Sequence, residues 1–272
     1  LGIAGVGGAY VAGIFPRRAA NVNGVNGTTT TPTPDGTPGV AQSKPDMISV
    51  PGGTFTMGRN DGTDLEKPEH EVTVEPFLMD KTEVTNGEFY EFVQATKYSP
   101  VPADWENGHP VAGREKMPVR YVNIADITAF IKWRSDRDKT KYRLPTEEEW
   151  EFAARNGSKN DLYPWGDKFQ SNCAVLDEDR NDPKPVGTHA CPATWGFVDL
   201  IGNVMEWTST PVSLYPGSVG EIKPSDEPRF MVRGGSAMYK STGKTAITST
   251  FRVDSPQSTR HPALGFRLAR SE

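Results

Sequence analysis

Beyond Gly157 the chain carries no run of helical or strand periodicity longer than a few residues, so its second half must pack as loops and short strands. That excludes a helical bundle. The composition agrees where it bears on the point: 27 Gly and 23 Pro punctuate turns, and six Trp supply core where regular layers are missing.

Before Gly157 the signals are more regular. Residues 47–50 and 54–58, separated by Pro51-Gly52-Gly53, predict a strand, a turn and a returning strand. Residues 71–79 alternate apolar and polar side chains, as one half-buried strand would. Thr85 with Glu88 forms a capping box ahead of Phe89, Phe92 and Val93, which recur at helical spacing. Asn123 caps a second predicted helix with Ile127, Phe130 and Ile131 as its stripe, and Thr146 with Glu149 opens a third that contains Trp150, Ala153 and Ala154. The expected class is α+β and loop-rich, with no internal repeat.

The chain is mildly acidic, 35 Asp and Glu against 30 Lys and Arg, and has no basic block. A nucleic-acid partner is therefore not expected. Two cysteines, Cys173 and Cys191, are too few for a Cys-only zinc site. They form one disulfide if the domain is exported, or stay as separate thiols; their spacing does not decide between these.

Residues 1–15 are uncharged, and Pro16-Arg17-Arg18 follows them. Fifteen residues fall short of the roughly 20 that span a bilayer. Gly2, Gly5, Ala9 and Gly13 nonetheless suit close helix contact within one. Residues 1–18 are accordingly expected to be a membrane-anchor segment, and 19–46, rich in Thr, Pro and Gly, an extended linker that lacks the apolar surface to offset its ordering entropy. Arg17 and Arg18 pull the other way on orientation, because cationic flanks prefer the cytoplasm. The folded domain is expected over 47–272.

Six phrases in that domain carry a resemblance: residues 50–58 (VPGGTFTMG), 82–86 (TEVTN), 142–151 (YRLPTEEEWE), 163–166 (YPWG), 202–207 (GNVMEW) and 233–236 (RGGS). In order and spacing they resemble the formylglycine-generating enzyme, or sulfatase-modifying factor, family. The closing Leu264-Gly265-Phe266-Arg267-Leu268 is similar to the family's ending. The resemblance implies a C-type-lectin-like fold of small twisted sheets, a few helices and much irregular chain. Each phrase also has an ordinary structural use: Trp150, Trp165 and Trp207 as core, Arg233 and Arg267 as bidentate partners of carboxylates.

Active members of that family hold copper with two cysteines that follow the Gly-Gly-Ser. Counted from Gly234-Gly235-Ser236, the matching positions are Tyr239 and Lys244, neither of which supplies a thiolate for a soft copper(I) ion. No catalytic residue and no copper are therefore expected. The residues 199–206 (DLIGNVME) resemble a family calcium loop, which implies Asp199, the carbonyls of Gly202 and Val204, and Glu206 as ligands. Hard oxygen donors of this kind suit calcium. A second family site maps to Asn172, the carbonyl of Cys173 and Glu178, with the alignment slipping through Asp177-Glu178-Asp179. The four His (His70, His109, His189, His261) are scattered and show no ligand spacing for iron.

The expectation is a non-catalytic, calcium-stabilised binding or accessory module. It is tethered to a membrane through its first residues, displayed on the periplasmic or extracellular side, and meets a protein partner through the loops of residues 237–261. The alternatives are the extracytoplasmic sensor domain of a transmembrane Ser/Thr kinase, an oxygen-dependent oxidase of the same family, and a ligand-display protein of the retroelement-diversified type.

Overall fold

The computed structural model describes residues 46–178, 182–189, 191, 195–242 and 246–272. The expected anchor at 1–18 and all of the linker before Asp46 lie outside the described residues. Among the described residues no helix is long and apolar enough to cross a membrane.

Four strands come first: β1 (Met47–Val50), β2 (Gly53–Met57), β3 (His70–Val74) and β4 (Phe77–Asp80). Three helices follow: α1 (Asn86–Thr96), α2 (Ile124–Asp138) and α3 (Glu147–Ala154). The second half adds β5 (Met205–Pro211), β6 (Arg229–Arg233), β7 (Arg252–Pro256), β8 (Leu264–Gly265) and β9 (Ala269–Ser271). The fold is α+β with long irregular connections, as expected.

All three helix starts form as predicted. Thr85, Asn123 and Thr146 accept the amide protons of Glu88, Asp126 and Glu149, whose carboxylates return to the cap amides. Both α1 and α2 stop where a Lys, Lys97 and Lys139, turns left-handed. On α1 the predicted stripe of Phe89, Phe92 and Val93 is buried against Phe130 of α2 and Phe266. Each such side chain contributes about 1.5–3 kcal/mol of burial. On α2 the stripe runs on one turn past Phe130 to a buried Arg134, which forks onto Asp80 of β4 at 2.7 and 2.8 Å.

Two strand expectations are corrected. The predicted hairpin of 47–50 with 54–58 does not form: β1 pairs with β4, and β2 pairs with β3, in separate sheets. Gly52 passes so close to β3 that a Cβ on it would lie 2.5 Å from the Val74 carbonyl oxygen, so the turn hands the chain from one sheet to another. The single strand predicted over 71–79 is two, β3 and β4, divided at Glu75-Pro76, since Pro cannot donate to a ladder.

The chain closes on itself through β9, which pairs antiparallel with β4 and completes the sheet β1-β4-β9. The largest sheet runs β7-β6-β5-β8, with β8 parallel to β5. This pairing sets residues 264–268 beside 204–206 and under the connection from β4 to α1. The candidate site lies at that junction.

Candidate functional site

The loop 199–206 enters β5 through three left-handed residues, Asp199, Gly202 and Asn203. A Cβ at Gly202 would sit 2.3 Å from the Val175 carbonyl oxygen, so only glycine fits there. Asn203 joins three segments. Its side-chain Oδ1 accepts the Lys184 amide at 2.9 Å, and its Nδ2 donates to Glu83 Oε1 at 3.0 Å. Asp199 Oδ2 accepts the Gly187 amide at 2.5 Å.

Glu206, fully buried at the start of β5, is taken up by Arg267. Nε and Nη2 of Arg267 each meet one of its oxygens at 2.7 Å, and Trp150 Nε1 donates to Oε2 at 2.8 Å. The remaining Arg267 protons go to the carbonyls of Asp80, Lys81 and Val198. Every donor of this guanidinium is therefore used.

Glu83 is the least satisfied member. It is 0% exposed, and its Oε2 has no hydrogen-bond partner. Burial first, then the neighbouring Asp199 carboxylate, pushes its acid well above the ordinary range, against the pull of Arg267. Burial raises Asp199 too, although the Gly187 amide and Arg267 favour its charged form.

Asp199, Gly202, Val204 and Glu206 lie in one loop and strand, and Glu83, which sequence reasoning passed over, is bonded to that loop through Asn203. Its only signal was its place in the phrase 82–86. Coordination capacity can be judged from the donor set. Among the described residues no three His, Cys, Asp or Glu side chains gather to hold a metal by themselves. A calcium ion here would need main-chain carbonyls and water beside the carboxylates, which is how a calcium loop works. Glu206 has most of its lone pairs committed, whereas Asp199 and Glu83 do not.

The second expected set is arranged differently. Cys173 is joined to Cys191, with Cα atoms 5.2 Å apart. The Asn172 carbonyl meets His189 Nδ1 at 3.1 Å, and Glu178 pairs with Lys184 at 3.2 Å while its amide donates to Ala237.

Tyr239 stands half-buried with its ring edge-on to Phe251 at 5.3 Å, in a cluster with Ala174, Ile201 and Ile247. Burial raises its phenol above the ordinary value. Lys244 lies outside the described residues. Ser236 is fully buried with its hydroxyl unpartnered.

The sulfatase-modifying factor enzyme 1-like domain family matches residues 34–272. The inactive C-alpha-formylglycine-generating enzyme 2 of Mus musculus is 32% identical, over 84% of this chain and 86% of its own. The formylglycine-generating enzyme of Bos taurus is 29% identical, over 87% of this chain and 78% of its own. Among solved structures, PvdO from Pseudomonas aeruginosa superposes with a TM-score of 0.69 at 27% identity, covering 84% of this chain and 95% of that one.

Proposed function

The chain belongs to the sulfatase-modifying factor enzyme 1-like family, and on that premise we propose that it is a non-catalytic binding or accessory module. One observation carries this reading: the chain has only two cysteines, and they are bonded to each other. The copper chemistry of the resembling enzymes needs a thiolate pair, and a disulfide offers none. Counting from Gly234-Gly235-Ser236, which puts Tyr239 at the position of the first of those thiolates, supports the same reading. The similarity to a relative named as inactive points the same way.

The test is to supply the oxidised protein with copper(I), a mild reductant and a Cys-containing sulfatase peptide. Peptide mass and oxygen uptake are then followed. No conversion of Cys to aldehyde is expected; turnover that is lost on Tyr239→Phe would overturn the reading.

The module is proposed to act outside the cytoplasm, tethered by residues 1–18. A disulfide that closes an internal loop supports an oxidising compartment, and the uncharged run at 1–15 supports the tether. Protein of residues 46–272 should then stay monodisperse without detergent, and aggregation of that piece alone would count against the tether. A protein partner is proposed to meet the loops of 237–261, where Met238 is 48% exposed. Calcium is proposed as the stabilising ion, held in the 199–206 loop on Asp199 and main-chain carbonyls.

A further inference from the structure

A groove of about 470 Å³ lies open between α1 and α2, and no residue of the 199–206 loop lines it. Its floor is the buried Phe92, and Thr96 and Ala129 add only small side chains to the lining. Tyr98 and Trp133, both half-buried, pack on Phe92 with ring centroids 4.9 and 5.8 Å away. Neither ring is loose. The Tyr98 hydroxyl donates to Asp126 at 2.9 Å, and Arg137, bonded to Asp138 at 2.6 Å, lies 4.6 Å over the Trp133 ring. Aromatic walls fixed in advance lower the ordering cost of binding.

The bonding of the lining side chains selects the occupant. Thr96 donates to the Phe92 carbonyl at 2.7 Å, and Lys132 to Asp136 at 2.7 Å. Trp133 Nε1, by contrast, donates to none of the described residues. The helix backbones keep their own N–H and C=O groups paired, so they present no ladder to an incoming strand. What fits is an apolar chain that brings a carbonyl for the indole and few N–H groups of its own. A polyproline II segment has that character: proline lacks the N–H, the chain has no internal hydrogen bonds, and such segments dock in aromatic-lined grooves. Length agrees. Ala129 to Arg137 rise about 12 Å along α2, which four residues of such a segment span at about 3.1 Å each.

Charge sets the flanks. Lys97, the C-cap of α1, adjoins the Tyr98 end of the groove, and Lys139, the C-cap of α2, adjoins the Arg137 end. Both are exposed, and neither forms an ion pair with a described residue. We propose that this groove docks a proline-rich segment of a partner protein, in polyproline II form, with an acidic residue on either side of the prolines. Trp133 Nε1 donates to a backbone carbonyl of that segment, its prolines lie over Phe92 between Tyr98 and Trp133, and the two lysines meet the acidic flanks. The proposal goes beyond the partner contact on residues 237–261 and does not rest on it.

The experiment is calorimetric titration of the full chain with three capped hexapeptides: four prolines between two aspartates, four alanines between two aspartates, and four prolines between two lysines. Wild type should bind one molecule of the first and hold each of the others at least tenfold more weakly. Trp133→Phe, which keeps a ring and removes the N–H, should weaken the first peptide about fivefold, the worth of one hydrogen bond. Ala129→Leu, which fills the groove, should weaken it at least tenfold, and melting curves check that both variants fold. The proposal is overturned if wild type does not bind the first peptide, or if the alanine peptide binds as well, which would make the attraction one of charge alone. It is also overturned if both variants bind as wild type does, since the peptide then sits elsewhere. A concentration-dependent dimer that Ala129→Leu dissociates would show that a second copy of the chain covers the groove instead.

Discussion

Trp150 touches two buried ion clusters that differ in one respect. On one side its ring lies under Arg233, at 5.3 Å, in a network where Glu147 and Glu151 meet Arg155, Arg233 and Arg252. Every carboxylate oxygen there has a donor: Arg252 forks onto Glu147 at 2.5 and 2.7 Å, Arg233 bridges Glu147 and Glu151, and Gly58 donates to Glu151 at 2.7 Å. On the other side its N–H reaches Glu206, in the cluster where carboxylates outnumber guanidiniums and Glu83 keeps an open oxygen. Buried charge of similar depth therefore has two outcomes. With three guanidiniums on two carboxylates it rivets α3 to β6 and β7. With anions in excess it leaves Glu83 Oε2 without a hydrogen-bond donor.

The largest effect expected of this contrast is on the side of Arg233. Arg233→Ala leaves Glu151 and part of Glu147 buried without their partner and should cost about 3–5 kcal/mol. Urea denaturation with and without calcium would measure it, and the loss should be the same in both. A cost within experimental error of zero would mean that the network is not a rivet.

A smaller effect is expected on the side of Glu83. Calcium at about 100 times its dissociation constant should add roughly 2.7 kcal/mol, and a chelator should remove it. A melting temperature indifferent to both would mean that the excess charge is settled by protons instead. Smallest is Thr146→Ala, which removes the cap of the helix that carries Glu147 and Glu151. It should cost about 1 kcal/mol and leave the calcium response unchanged. A lost calcium response in that variant would join the two clusters into one unit and dissolve the contrast.

How much of this could be read beforehand follows from the range of each interaction. The three helices were readable because a capping box and a stripe such as Phe89, Phe92 and Val93 are local, set by residues three or four apart. The 199–206 loop was readable through its resemblance. The hairpin of β1 with β2 was misread because Pro51-Gly52-Gly53 signals a reversal but not the partner, and β1 in fact pairs with β4, which β9 flanks from the far end of the chain. Glu83 stayed hidden for a similar reason. One acidic residue between a strand and a helix shows no period, and its meaning comes from Asn203, 120 positions away. The same holds for Glu147 and Arg252, 105 positions apart. Cys173 and Cys191 showed that a bridge was possible, and only the 5.2 Å between their Cα atoms joins them.

Which metal the protein keeps tests the account most directly. The oxidised chain would be exposed to copper(I) and calcium together, desalted, and weighed intact by native mass spectrometry. The account predicts a species carrying calcium and no copper, with the calcium peak diminished in Asp199→Asn. A species that retains copper would contradict it, since it would reveal a soft-metal site that neither the disulfide-bonded cysteines nor Tyr239 can provide.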